Sequence, residues 1–565
     1  MKYSLMGLWR YVVIASALTL LAFVSPAAMA QKSKNVNTAQ CYACHQPIKA
    51  FHEGNKHKSV NCVACHEKLT EHLADANARP VTNTDPAVCG NCHKAEFDTQ
   101  FKMDWGKEAR FEKSMYNGPT PNPSFDKILM PHGFTKEHAL PRSHGFMMYD
   151  QFVVDRAFGG RFQPKDGWKD YANGSRNLNV WEVLEDTHPE DQTHKAFKPG
   201  YAAAANPVCI SCKTQDHILD WQYMGDPAPN AKWSRISNVV ELAKSVKHAL
   251  NCFYCHDPHS AQPRIVRDAL IQALTRPDPD KTSVYHKDPN ATKFEVKDMG
   301  VRGFTRKIAI LEKYDAQLQC GQCHVEYNCN PGSDSETGEA IAMKDQRTNY
   351  FPFVNVWDLA KTYKDLKFVD FKHKITGAAM WKGQHPDVET YYGSKHQVAG
   401  VQCSDCHMPK MKDPKTGKKF TSHWTVSPKN YIKETCLTCH TTWNEMQAVY
   451  VIDTLKNHYM GKMRKNEFWL TRLIDKIEQA KLMGVDPAAL KEAQAAHSEA
   501  HVYWEWWSAA NAGYFHNPEM AIDSINYGMD VSQKAIDKLD KAMAEASAAR
   551  VSSGAAPAAA PAAAK

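Results

Sequence analysis

The sequence predicts a mainly α fold with long loops, little β structure and long helices toward its C-terminal end, on three observations. The chain carries seven Cys-x-x-Cys-His motifs and an eighth copy, Cys209-Ile-Ser-Cys212-Lys213, in which lysine replaces the histidine. Segments between motifs are rich in proline and glycine, with little strict alternation of apolar residues, so no substantial sheet is expected. After His440 the composition shifts to stretches rich in Ala, Glu, Lys and Leu with apolar residues at helical spacing.

A Cys-x-x-Cys pair fixes a c-type haem by two thioether bonds, and the histidine that follows supplies the proximal iron ligand. The seven copies are Cys41/Cys44/His45, Cys62/Cys65/His66, Cys89/Cys92/His93, Cys252/Cys255/His256, Cys320/Cys323/His324, Cys403/Cys406/His407 and Cys436/Cys439/His440. About 0.02 such matches are expected by chance at this composition, so the seven are haem sites. Cys209 and Cys212 alone also read as a zinc or disulfide site. Their place in the array favours an eighth haem with Lys213 as its proximal ligand. Each macrocycle acts as a piece of core, which allows a loop-rich chain to pack.

Taken in order, residues 1–30 carry Lys2 and Arg10, an apolar run over 11–24, and Ala28-Met29-Ala30. This pattern is a secretory signal peptide, with a retained anchor as the other reading. The run is short for a membrane span. Because c-type haems are attached outside the inner membrane, a periplasmic location is expected. Residues 31–130 read as an N-terminal three-haem domain and 131–440 as a five-haem catalytic domain. Residues 441–548 form a helical region packing on it, with helices over 442–481 and 487–511. Asp486-Pro487 supplies an N-cap and a first-turn proline for the second. The Ala/Pro-rich residues 549–565 are expected to be disordered. The formal charge of +7 overstates the holoprotein, because each ferric haem with two propionates adds about one negative charge. Nothing in the pattern argues for nucleic acid as a partner.

A haem with histidine on both faces passes electrons but has no open position for a substrate. Twenty histidines remain beyond the seven proximal ones, more than the seven distal ligands required. Coordination by Lys213 needs the neutral amine, and its haem would keep an open distal face.

The five-haem part resembles cytochrome c nitrite reductase, which reduces nitrite to ammonium at a haem with the same Cys-x-x-Cys-Lys motif. Pro141-Arg142-Ser143-His144 resembles the segment carrying that family's active-site arginine. Cys320-Gly-Gln-Cys323-His324-Val325-Glu326-Tyr327 resembles its haem motif followed by the active-site tyrosine, and Lys382-Gly383-Gln384-His385-Pro386 its histidine segment. The three further haems resemble the octahaem branch. Cys329, the seventeenth cysteine, sits two residues beyond Tyr327, on the same side of an extended segment. Spacing alone favours a free or buried thiol; the resemblance implies a thioether crosslink between Tyr327 and Cys329.

The resemblance further implies that nitrite binds through nitrogen at the iron of the Lys213 haem. Arg142 would hold its oxygens, and His385 and Tyr327 would supply protons and hydrogen bonds. It implies a calcium ion beside the site, held by Glu326, Gln384 and backbone oxygens of Tyr327 and Lys382. It implies His144, His396, His423 and His516 as distal iron ligands. For the N-terminal haems the pool is His52, His57, His72, His132 and His138, with His57 and His72 preferred. His497 and His501 read as packing or surface histidines, and Tyr503 to Trp507 as core bulk laid against haem faces. Lys410 to Lys419 reads as a solvated loop.

Expected substrates are nitrite, hydroxylamine and sulfite, with electrons from a periplasmic or membrane-bound donor. Family members assemble through C-terminal helices, which implies a trimer or hexamer here. Two other classes stay open: an octahaem oxidase resembling hydroxylamine oxidoreductase, and a pure electron-transfer cytochrome. Lys213 argues against the first, because that family keeps histidine at its catalytic haem.

Overall fold

The computed structural model describes residues 35–101, 123–130, 144–149, 162–164, 181, 184–186, 206–218, 220–224, 231–299, 306–328, 331–425 and 427–553. Residues 1–30, expected to be a signal peptide, Arg142, Cys329, His132, His138 and residues 554–565 lie outside these. The fold is mainly α, as the sequence predicts, and the chain divides into two compact units, Met1–Thr84 and Asp85–Lys565.

In the smaller unit, α1 (Thr38–Cys44) and α2 (Gln46–Glu53) are separated by His45, and α3 (Leu69–Ala74) follows the second motif. Asn61 joins the two motifs locally. Its Nδ2 donates to Val36 O at 2.9 Å while its Oδ1 accepts from Val36 N at 3.3 Å.

The first two motifs lie in the smaller unit and the third, with Cys92, in the larger. There α4 (Lys94–Phe101) directly follows His93. Gln100 Nε2 donates to Leu250 O at 2.8 Å, and Thr99 Oγ1 accepts from His423 N at 3.0 Å.

The larger unit is organised around three long helices, α10 (Glu445–Met483), α11 (Pro487–Ala509) and α12 (Pro518–Ser552), numbered after shorter helices introduced below. Each start is set by sequence. Asn444 and Gln447 form a capping box, Asp486 accepts from Ala488 N–H ahead of Pro487, and Asn517 accepts from Met520 N–H ahead of Pro518. Gly484, at φ 67°, ends α10 in the left-handed conformation. The final helix runs through Val551 and Ser552, further than the composition suggested. Alanine is the strongest helix former, so a low-complexity alanine-rich stretch can extend a helix already anchored upstream.

These helices bury Tyr503, Trp504, Trp506 and Trp507 against Phe125, Ile128, Val356, Leu359 and Tyr363. The tryptophan-rich stretch is therefore core. A second core surrounds a small antiparallel sheet in which β3 (Lys307–Leu311) lies between β1 (Arg264–Ile265) and β2 (Phe294–Asp298). It includes Val208, Leu270, Leu318, Val325, Tyr327, Phe351 and Val388. Lys410–Lys412 and Lys419–Thr421 pair as a hairpin whose lysines are exposed.

Candidate active site

Lys213 follows α5 (Pro207–Ser211), whose start is capped by the Asn206 side chain on Val208 N–H. Pro207, Val208 and Ile210 are buried and Cys209 is half-buried. Lys213 N closes the turn on Ile210 O at 2.8 Å. Cys212 is buried, and its carbonyl lies 3.7 Å from Cys323 Sγ. The lysine motif and the Cys320 motif, which ends α7 (Ala316–Cys320), thus sit side by side. Here α6 is Asp268–Thr275, packed on β3. Lys213 stands within electrostatic reach of His144 and His324.

Tyr327 packs on Phe351 and His385, with ring centroids 5.8 and 5.6 Å apart, and His385 lies 5.9 Å from His324. Lys213, Tyr327 and His385 are therefore gathered around one motif histidine, although they come from three separated segments. Arg142 and Cys329, the other two residues singled out, are outside the described part.

An iron held by two imidazoles at about 2 Å from each nitrogen places the ring centroids about 6 Å apart. Among the described residues, four pairs with this spacing join a motif histidine to a distal candidate: His45 with His72 at 6.1 Å, His144 with His324 at 6.3 Å, His407 with His516 at 6.2 Å and His396 with His440 at 6.2 Å. His324 with His385 at 5.9 Å and His497 with His501 at 6.4 Å are also near it, so spacing alone does not assign a ligand. Second partners orient the rings: His72 Nδ1 bonds Ala78 O at 2.8 Å, and His324 Nδ1 lies 3.1 Å from Asp387 Oδ2, leaving Nε2 of each for a metal. His423 Nδ1 bonds Thr421 O at 2.9 Å, and the residue is in electrostatic reach of His256 and His93. None of the sixteen motif cysteines, Cys209 and Cys212 included, is joined in a disulfide. The residues fit covalently held haem.

The attachment sulfurs differ in how far the polypeptide covers them. Cys65, Cys92, Cys255, Cys323 and Cys439 each end a single turn closed on the first cysteine of the motif, with Cys65 N on Cys62 O at 3.2 Å, Cys92 N on Cys89 O at 3.1 Å and Cys439 N on Cys436 O at 3.3 Å. Whether such a turn is enclosed depends on what packs over it, which five local residues do not specify. Cys44, Cys92 and Cys439 are exposed, Cys212 is buried, and the other twelve, Cys65 among them, are half-buried.

Not every candidate ligand fits. His52 has Nδ1 2.5 Å from Tyr42 Oη and Nε2 2.9 Å from Val60 O, so both ring nitrogens are engaged and it leaves the ligand pool. His57 is half-buried in the smaller unit. His497 and His501 are fully buried, which makes them interior and not surface residues.

Around the Tyr327 and His385 segments lies a set of buried carboxylates, only one of which the sequence had marked. Glu326 accepts from Tyr363 Oη at 2.7 Å and from Gln384 N at 2.8 Å, where Tyr363 comes from α8 (Val356–Asp365). Glu389, on α9 (Asp387–Tyr391), accepts from Glu326 N at 3.0 Å. Glu505 accepts from Gly383 N at 3.0 Å. Burial pushes Glu326 up to about 7 and Glu505 up to about 8, and raises Glu389 well above the usual carboxylate range. One oxygen each of Glu389 and Glu505 is buried without a hydrogen-bond partner. The sequence did carry a signal for Glu505, a lone acid within an otherwise aromatic helical run.

A family model for cytochrome c552 matches residues 181–564. The cytochrome c nitrite reductase subunit NrfA of Nitratidesulfovibrio vulgaris is 28% identical over 80% of this chain and 79% of its own length. A cytochrome c-552 of Bacteroides thetaiotaomicron is 27% identical over 60% of each chain, and one of Haemophilus ducreyi is 32% identical over 62% of this chain and 61% of its own. The chain thus spans about three fifths of those two relatives. Among solved structures, the catalytic subunit of cytochrome c nitrite reductase from Desulfovibrio desulfuricans, described with two calcium sites, shares the fold. Its TM-score is 0.50 at 21% identity, covering 80% of this chain and 88% of that one.

Proposed function

The chain belongs to the cytochrome c552 family, and we propose that it reduces nitrite to ammonium at the haem attached through Cys209 and Cys212, with Lys213 as proximal ligand. The balance is one nitrite, six electrons and eight protons giving one ammonium and two waters. The observation that carries this reading is the gathering of Lys213, Tyr327 and His385 around His324.

The haem, when bound, supplies electrons and an open iron position. The remaining work falls to side chains. Tyr327 and His385 face each other across 5.6 Å between ring centroids, so one phenolic and one imidazole donor can address the same small oxyanion. His385 holds and returns protons near neutral pH, and Arg142 provides the charge that anchors the oxyanion. Phe351, fully buried beside Tyr327, excludes water from that side. A thioether between Tyr327 and Cys329 would fix the phenol and alter its acidity.

Seven further haems, held by the histidine motifs, form the supply of electrons. Distal ligands for six of them are His57, His72, His144, His396, His423 and His516. The same site would accept hydroxylamine and sulfite. Calcium fits beside it, held by Glu326, Gln384 and the carbonyls of Tyr327 and Lys382, because Glu326, Glu389 and Glu505 crowd buried negative charge that one divalent cation would offset. Among the described residues no three His, Cys, Asp or Glu side chains converge on a metal; this ligand set draws instead on two backbone carbonyls and an amide. We place the mature protein in the periplasm as a homo-oligomer fed by a periplasmic or membrane-bound donor. The domain boundaries at 130 and 440 belong to this proposal.

Viologen-reduced holoprotein given nitrite should return it quantitatively as ammonium. Accumulated nitric oxide or nitrous oxide would refute the reading. An absorption band near 460 nm in the reduced protein would favour the oxidase class, and failure of the reduced protein to bind nitrite or cyanide would favour pure electron transfer.

A further inference from the structure

The backbone at Trp381, Lys382 and Gly383, directly ahead of Gln384 and His385, is held from outside by side chains of α11. His501 Nε2 lies 3.1 Å from Trp381 O. A carbonyl can only accept, so His501 is the Nε2–H tautomer and donates. One turn further along the same helix face, Glu505 Oε1 accepts from Gly383 N at 3.0 Å. The approach is close: a Cβ on Gly383 would come within 3.1 Å of Glu505 Cγ and 3.2 Å of Ala509 Cβ, so one of these would have to give by a few tenths of an ångström. Both gripping residues are buried, His501 fully. His501 Nε2 is 3.6 Å from Glu505 Oε2, too long for a hydrogen bond. With burial driving His501 down to about 3, this contact is not an ion pair, and His501 serves as a neutral donor.

We propose that His501 and Glu505 are positioning residues of the catalytic centre, which grip Trp381 O and Gly383 N from successive turns of α11 and so set where Lys382, Gln384 and His385 stand. The same helix extends the grip past the histidine. Trp506 Nε1 donates to Thr390 Oγ1 at 2.9 Å, and Asn511, just beyond the helix end, donates from N and Nδ2 to the two Asp387 oxygens at 2.6 and 2.9 Å. Asp387 is the residue that orients His324. One rigid helix thereby registers both the proton-bearing segment and the neighbouring iron ligand, where a misplacement of about 1 Å costs on the order of a hundredfold in rate.

The inference rests on the reading of His385 as a group of the nitrite site, so its test has an arm that does not depend on activity. In the holoprotein, His501→Phe keeps an aromatic ring but loses the donor, His501→Gln keeps an N–H donor, and Glu505→Ala removes the acceptor. Amide hydrogen exchange of the peptide containing residues 381–385 is measured alongside nitrite turnover. Loss of one buried hydrogen bond should raise that exchange about tenfold in His501→Phe and Glu505→Ala, with kcat falling at least tenfold. The KM for nitrite should move less, and His501→Gln should restore both readouts to within a few-fold of the parent. Unchanged exchange in both damaging variants overturns the proposal, as does raised exchange with unaltered kcat, or equal damage in His501→Phe and His501→Gln. If His385→Asn itself turns over nitrite like the parent, the reading of His385 fails, while raised exchange in the two variants still supports the grip.

Discussion

Replacing Glu326 separates two roles that one side chain combines. Its carboxylate accepts from Tyr363 Oη at 2.7 Å and Gln384 N at 2.8 Å, at 1% exposure. Glu326→Ala strands both donors in the interior at about 1 to 3 kcal/mol each, so a loss of about 2 to 6 kcal/mol is expected. Glu326→Gln differs in kind. Its amide oxygen can still accept from Gln384 N, and its amide N–H can donate to the Tyr363 oxygen once that hydroxyl turns, so stability should fall by less than about 1 kcal/mol. Both variants remove the one formal negative charge from the proposed calcium ligands, and calcium affinity should drop at least about tenfold in each. The assay pairs denaturant midpoints with calcium titration of chelator-treated holoprotein. Equal stability of the two variants would refute the hydrogen-bond reasoning. Parental calcium affinity in Glu326→Gln would remove Glu326 from the ligand set.

Lys213→His should retain its haem, read by absorbance and intact mass, while nitrite turnover falls at least about tenfold; unchanged turnover would end the central role of the lysine. Intact-peptide mass spectrometry of the segment holding Tyr327 and Cys329 should show a deficit of two hydrogens if the thioether is present, and an unmodified mass excludes it. Burial drives His501 to about 3 and His497 well below its usual value, so the unfolded chain binds more protons than the folded one below the ordinary histidine range. Their stabilisation is full above about pH 6.5 and is lost progressively as pH falls toward 3. Thermal midpoints of the holoprotein should therefore fall between pH 7 and pH 5, and fall less in His501→Gln; equal slopes in both proteins would contradict this.

The sequence made the haem array legible because thioether attachment is local: five consecutive residues specify each site whatever the fold. How far the polypeptide encloses each sulfur is not local, and Cys92 and Cys439 are exposed where Cys212 is buried. His144, His396 and His516 were named as distal candidates only through a resemblance, and His72 through its nearness to neighbouring motifs; which motif histidine each one opposes depends on tertiary packing and was not legible. His52 shows the limit of proximity in sequence, because Tyr42 and Val60 take both its nitrogens. The grip of His501 and Glu505 on Trp381 and Gly383 joins residues some 120 positions apart, and no local pattern records it. Helix starts at Asp486 and Asn517 follow capping rules, whereas the length of the last helix depended on how far alanine carries an anchored helix. The contacts of α4 with Leu250 and His423 are long-range and were likewise not legible.

The adjacency of distant motifs bears on how charge can cross this molecule. Cys212 is buried, and its carbonyl lies 3.7 Å from Cys323 Sγ although 111 positions separate the two residues. Haems attached through these two motifs would be neighbours, so an electron reaching one has a short step to the other. The route is then set by which motifs the fold brings side by side, not by their order along the chain.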